Sequence, residues 1–393
     1  MAVAEVATVM RAAMNPTIKA AIFSLRKTPT MRLFGILALA LMLSPLAWAD
    51  TIILKGKPAL AGVKVQKEGL LEVTYTQGSS TRRRTVATSE VLDIVYDAPP
   101  VQYRRGVEYF NLGDHVNAIS RLKTSLETEV AQRPWLKEYA SIYLGRALMA
   151  SKQFPAATKA FQGVLADFPE GRRFPAVSLR LARCQIGAGN AAAATTALDN
   201  LKSVLKQKKV AGNWDARAEL GRVEAQIAAK SFDKAVTTAK ALALANLPKD
   251  ATSEPEKAVI YVRARSLQGE AQIAAGDVSQ AKNVYDNLRS RGAGSPLFLA
   301  AARTGRAAVI MAGEPDAEGL FRANEMLTRA LAENYTAVSE LSRTCYLLGL
   351  VHLELDGTLT RAKDLAKSYF EETIRRFPES LEAFHARDNL KKM

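Results

Sequence analysis

Hydrophobic positions divide the chain into three regimes. Residues 33–43 (LFGILALALML) form an unbroken apolar run. Between residues 51 and 96, apolar side chains alternate with polar ones or cluster in short β-forming stretches, at 51–55, 62–66, 70–76, 83–87 and 91–96. Gly56-Lys57-Pro58, Glu68-Gly69, Gln77-Gly78-Ser79-Ser80 and Thr88-Ser89-Glu90 punctuate them with turn residues. Five short strands so closely spaced predict a small five-stranded β-barrel over residues 50–98. From Pro99 onward the period lengthens to that of the α-helix, and amphipathic helices recur in pairs to residue 379. Ala98-Pro99-Pro100 reads as a stiff connection into them. Residues 380–393 predict one further helix, polar enough to cap an open end.

The helix pairs repeat a pattern. Residues 138–171 read EYASIYLGRALMASKQFPAATKAFQGVLADFPEG. Gly145, after Leu144, and Ala157 are small where two helices cross closely. Phe161 fills the gap between neighbouring pairs, and Pro169 stops the second helix. This stretch resembles a tetratricopeptide repeat (TPR), a helix–turn–helix unit that stacks into a solenoid. Weaker copies follow the same plan. They use Gly106, Ala118 and Leu122, then Ala182, Ala194 and Leu198, then Gly269, Ala281 and Tyr285, and at the end Gly349, Ala366, Phe370 and Pro378. One copy has Val223 in the small-residue slot ahead of Ala235, and residues 297–334, aligned on Gly305, depart most. The resemblance implies a mainly α protein: an α-α superhelix of about seven pairs over residues 99–379, preceded by the barrel, which looks SH3-like or Sm-like.

Charge and chemistry refine the picture. Lys27 and Arg32 precede the apolar run, which is short for a bilayer span, and Pro45 and Ala47-Trp48-Ala49 follow it. A basic flank, a short apolar core and a small-x-small end predict a secretory signal cleaved between Ala49 and Asp50. Met31 is a more natural start for such a signal than Met1. Export to the periplasm or beyond is the expected address, with a retained anchor as the other possibility. The formal net charge is +15, which favours anionic partners without specifying one. Cys184 and Cys345 fall in separate repeats and read as buried free thiols. His115, His352 and His385 are likewise scattered, without metal-ligand spacing, and no phosphate loop or nucleophile elbow occurs. Neither an enzyme nor a cofactor is expected. Arg82-Arg83-Arg84 reads as charge protecting an edge strand, and Arg375-Arg376 as cations at a helix C-terminus.

The resemblance also implies where a partner would sit. In TPR solenoids the first helices line a concave groove, with positions 2, 5, 9 and 12 of each repeat facing it. Aligned from the small-residue slot, Arg146, Arg183 and Arg306 fall at position 9, and Arg217, Arg263 and Arg343 at position 2. Tyr139, Ile142 and Met149 share the groove in this alignment. Guanidinium forks beside apolar pockets suit a peptide carrying carboxylates. Arg stands at position 9 where the family's carboxylate-clamp subtype has Asn, so that subtype's activity is not implied. The same arginines could instead pair with Glu224 and Glu270 on the same surface. The expectation is a non-enzymatic scaffold of the cell envelope that binds protein partners, acidic segments among them. It is peripheral to the membrane at most and binds no nucleic acid. A polyanion or glycan binder driven by net charge is the alternative.

Overall fold

The computed structural model describes residues 49–292, 294–333 and 338–393. The apolar run and Ala47 of the expected cleavage motif lie outside the described residues. Ala49 is exposed and Asp50 opens the first strand.

Five strands form where alternation predicts them: β1 (Asp50–Leu54), β2 (Leu60–Glu68), β3 (Glu72–Gln77), β4 (Arg84–Ala87) and β5 (Val91–Val95). They pair in the order β4-β3-β2-β1-β5. This is an antiparallel sheet and not the closed barrel that strand spacing suggested. Closure fails because β4 and β5 end on opposite edges; β4 is only four residues long and exposed along most of its length. Arg84 lies on that edge strand, with Arg82 and Arg83 exposed just before it.

The chain divides into two compact units. Of the described residues, the first comprises 49–65 together with Tyr75–Arg83 and Leu92–Ala98. Within it Ile52, Val63, Tyr75 and Ile94 are buried. The Asp50 carboxylate accepts hydrogen bonds from the backbone N–H groups of Val65 (2.9 Å) and Asp97 (3.2 Å). The second unit comprises Gln66–Thr74, Arg84–Val91 and Pro99–Met393.

In the second unit fifteen helices are described. First and second helices alternate as α1 (Val101–Asn111), α2 (His115–Thr128), α3 (Pro134–Ala150), α4 (Phe154–Asp167), α5 (Phe174–Gly187), α6 (Ala191–Lys208), α7 (Trp214–Ala228) and α8 (Phe232–Ala245). The series continues with α9 (Pro255–Ala274), α10 (Val278–Arg291), α11 (Pro296–Ala312), α12 (Ala317–Glu333), α13 (Val338–Glu354) and α14 (Ala362–Arg376), and ends at α15 (Leu381–Lys392). Each helix packs on its chain neighbours, and successive first helices also touch one another. The result is a TPR-like superhelix.

A single slot sets the packing. It lies five residues before the last residue of each first helix: Gly106, Gly145, Ala182, Val223, Gly269, Ala307 and Gly349. A Cβ on Gly106 would stand 2.6 Å from Leu122, and one on Gly145 would stand 2.6 Å from the Phe161 ring. Tyr285 and Phe370 crowd Gly269 and Gly349 in the same way. Val223 reverses the arrangement. Sixteen residues later, where the first, second, third and fifth pairs carry Leu122, Phe161, Leu198 and Tyr285, this pair carries Ala239, and both side chains belong to one fully buried cluster. In these five pairs large faces small in either order, so packing volume is kept, whereas the sixth sets Ala307 and Ala323 in one cluster with Leu320 and Leu327.

Seven residues after the slot the backbone enters the left-handed region, at Gly113 (φ 80°), Lys152 (59°), Gly189 (77°), Lys230 (57°), Gly276 (85°) and Glu314 (53°). This turn marks the repeat even where glycine is missing. It also corrects the register of the sixth pair, whose slot is Ala307 rather than Gly305. Gly305 instead faces Tyr285 of the preceding pair. Cys184 and Cys345 are buried and unbridged. No helix among the described residues is long and apolar enough to cross a membrane.

Candidate functional site

The first helices of the superhelix carry two rows of charged side chains. Residues just after the slot are Arg146, Arg183, Glu224 and Glu270 in four successive pairs; six residues before the slot stand Arg217, Arg263 and Arg343. These two rows meet between α5, α7 and α9, within α9, and between α9 and α13. Glu224 lies 3.6 Å from Arg183 and 3.0 Å from Arg263; Glu270 lies 3.3 Å from Arg263 and 3.2 Å from Arg343. Burial alone would raise the Glu224 carboxyl, but the Arg183 and Arg263 guanidiniums outweigh it and hold the group below its ordinary value. Burial of Arg263 is likewise overcome by Glu270 and Glu224, so it stays charged. Pairing with Glu224 and Glu270, one of the two readings open from sequence, therefore accounts for much of this row.

A cavity of about 510 Å³ opens beside these rows. Arg146, Arg183 and Arg263 line it from α3, α5 and α9, with Phe110 from α1. Its other wall runs from the end of α14 (Arg375 and Arg376) through Glu379 to Glu382 at the start of α15. Arg183 is the most open of these three arginines, with its side chain 40% exposed.

Glu379 reaches across to the second and third pairs. Its carboxylate accepts hydrogen bonds from Arg146 Nε at 2.6 Å and from Arg180 Nε at 2.8 Å. Arg146 is braced from behind, its guanidinium 4.5 Å from the Phe110 ring centre and 4.8 Å from that of Tyr143. Burial pushes the Glu379 carboxyl up, yet Arg180 and Arg146 outweigh it and hold the group at about 2. Two further contacts tie the same segment down. Asp388 accepts from Lys152, and Phe384 meets Phe154 edge-on at 5.0 Å between ring centres.

Other predicted groove residues fall elsewhere. Arg306 pairs with Asp286 on α10 and does not line the cavity. Its placement follows from the register of the sixth pair, because two residues turn a helix by roughly 200°. The matching pair Arg222–Asp199 occurs one residue after Gly221, which faces Leu198 as Gly305 faces Tyr285. Arg217 is exposed and stacks on Trp214, 5.1 Å away. Arg343 is buried, donating to Tyr285 Oη at 3.1 Å. Met149 is fully enclosed in the core cluster of Phe154 and Phe161. Tyr139 and Ile142 line a small cleft of about 30 Å³ with Arg146 and Arg180.

Tyr139 also belongs to a polar cluster that sequence reasoning did not identify. Its hydroxyl donates to Glu68 Oε2 at 2.9 Å, and Arg172 Nε donates to the same oxygen at 2.8 Å. The Arg173 guanidinium lies 4.1 Å over the Tyr139 ring. Backbone bonds join the same places, Leu70 N–H to Glu170 O (2.7 Å) and Arg172 N–H to Glu68 O (3.1 Å). Arg180 and Glu379 were missed as well. A tertiary contact across the array leaves no local pattern, although Phe377-Pro378-Glu379 repeats Phe168-Pro169-Glu170.

Comparison with known proteins finds a family match over part of the chain. Residues 148–206 match the tetratricopeptide repeat family. No curated protein matches the chain in sequence. Among solved structures, a tetratricopeptide repeat protein from Parabacteroides merdae ATCC 43184 is 15% identical, covering 69% of this chain and 90% of its own, with a TM-score of 0.41. A Rap protein complexed with Competence and Sporulation Factor is 15% identical over 70% of this chain and 73% of its own, TM-score 0.44. PilW, a widely conserved type IV pilus biogenesis factor, is 14% identical over 61% of this chain and 96% of its own, TM-score 0.39.

Proposed function

We propose that this TPR-like array is a non-enzymatic scaffold of the cell envelope that holds an acidic segment of a partner protein against its concave face. The observation that carries the reading is convergence. Arg146, Arg183 and Arg263 come from three first helices to one cavity, and a peptide carboxylate, that of Glu379, is already held beside it by two guanidiniums. Charge-assisted bonds from preorganised guanidiniums suit a carboxylate-bearing peptide, and a cavity of this size admits one or two side chains. The envelope address rests on residues 27–49, with Ala47 and Ala49 before the expected cut and Asp50 after it.

The experiment is in-cell photo-crosslinking from a position beside Arg183. The expected result is a specific envelope partner that disappears when Arg146 and Arg183 are changed to Glu. The same partners recovered from wild type and the charge-reversed protein would overturn the reading. Salt separates it from the charge-driven alternative. Exposed Arg82 and Arg83 and the +15 net charge favour a polyanion, whose binding collapses as salt rises to about 0.5 M, whereas a buried groove contact is screened far less.

A further inference from the structure

We propose that Phe377–Lys392 is an intramolecular stand-in for the partner, and that the partner presents the same chemistry: a Pro–Glu turn leading into an amphipathic helix. This rests on the groove reading above and specifies its ligand and its regulation.

As an end cap does, α15 packs on the last pair, with Ala386 in the cluster of Ala366 and Phe370. In addition, two carboxylates and one aromatic ring of the segment reach back to much earlier pairs. Glu379 reaches Arg146 and Arg180, and Asp388 reaches Lys152, residues 233, 199 and 236 positions earlier. Each receiving residue lies on the second or third pair. Arg146 also stacks on Phe110 and Tyr143, an arrangement that leaves the in-plane N–H groups free to fork onto a carboxylate. Removing the segment would leave two half-buried guanidiniums aimed at one empty position, which a second carboxylate would fill.

The segment also has the form of a recognition element. Pro378 restricts the backbone before Glu379, and the Ser380 hydroxyl accepts from Ala383 N–H at 3.0 Å to start α15. Phe384 and Asp388, four residues apart on one helix face, engage Phe154 and Lys152. Carboxylate, aromatic and second carboxylate at spacings of five and four residues thus form the readable pattern. Tethering gives the segment an effective concentration of about 1 mM, so a free partner of ordinary affinity is excluded until it outcompetes the tethered copy.

The test uses the full chain and a fluorescein-labelled synthetic peptide of residues 377–393. Glu379→Gln with Asp388→Asn weakens the tethered segment and leaves its apolar contacts in place. This variant should bind the peptide at least about tenfold more tightly than wild type. Adding Arg146→Glu and Arg180→Glu should abolish that gain. Equal affinity in wild type and the variant overturns the proposal. Should the variant not fold, wild type supplies the answer by hydrogen exchange. Saturating peptide should speed exchange in Leu381–Lys392 about tenfold and leave Pro255–Ala274 unchanged; no change in Leu381–Lys392 overturns the proposal. Failure here, with crosslinked partners still lost on charge reversal at Arg146 and Arg183, removes only the stand-in. Partners unaffected by that reversal remove the groove reading and the stand-in together.

Discussion

Glu379 accepts a 2.6 Å hydrogen bond from Arg146 although 233 residues separate them. The pair, with Arg180, couples stability to acid. Glu379 has a carboxyl of ordinary value 4.5 when unfolded and about 2 when folded. A depressed carboxyl contributes stability above pH 4.5 and loses it as the pH falls through about 2. Urea denaturation across that window should show wild type losing on the order of 3 kcal/mol more than Glu379→Gln. Parallel profiles would mean the pair adds nothing.

Glu138 has the opposite sign. Burial first, then the charge of Glu68, raises its carboxyl to about 7, against the pull of Arg173 and Arg172. The folded chain therefore keeps a proton that the unfolded chain has lost, and stability declines as pH rises from about 4.5 to 7. Glu138→Gln should flatten that decline and gain on the order of 3 kcal/mol at pH 8. A variant less stable than wild type at pH 8 would show that the charged form is welcome in the fold.

Packing at the slot should be strongly non-additive. Gly145→Val drives a side chain into Phe161 and should cost about 1–3 kcal/mol, while Phe161→Ala should cost about 3–5 kcal/mol by leaving a cavity. Together they recreate the order that Val223 and Ala239 already use, so the double variant should be about 1–3 kcal/mol more stable than the sum predicts. Thermal unfolding of the two single variants and the double variant measures this coupling, and simple additivity would refute the slot as the unit of packing.

The strands and the helix pairs were legible because each is a local pattern: alternation for Ile52 to Ile94, and small side chains facing Leu122, Phe161 and Tyr285 for the pairs. Val223 weakened the fourth match because sequence shows one side of a contact at a time. Its partner Ala239 makes the same sense only once the two helices are laid together. Gly305 misled for a related reason. Glycine was needed there, but to admit Tyr285 from the pair before, and the resulting shift sets Arg306 beside Asp286 on α10. Sheet closure and the partner of Arg146 depend on which distant segments meet. Local periodicity contains neither.

Joining Arg146 to Glu379 also imposes an order on synthesis. Helix pairs built from near neighbours in the chain can settle as they emerge, since they need few distant contacts. The second and third pairs cannot finish in that way. Until Glu379 has been made and is free of the ribosome, Arg146 and Arg180 lack the carboxylate that completes them, so these two pairs wait for a residue added 233 and 199 positions later.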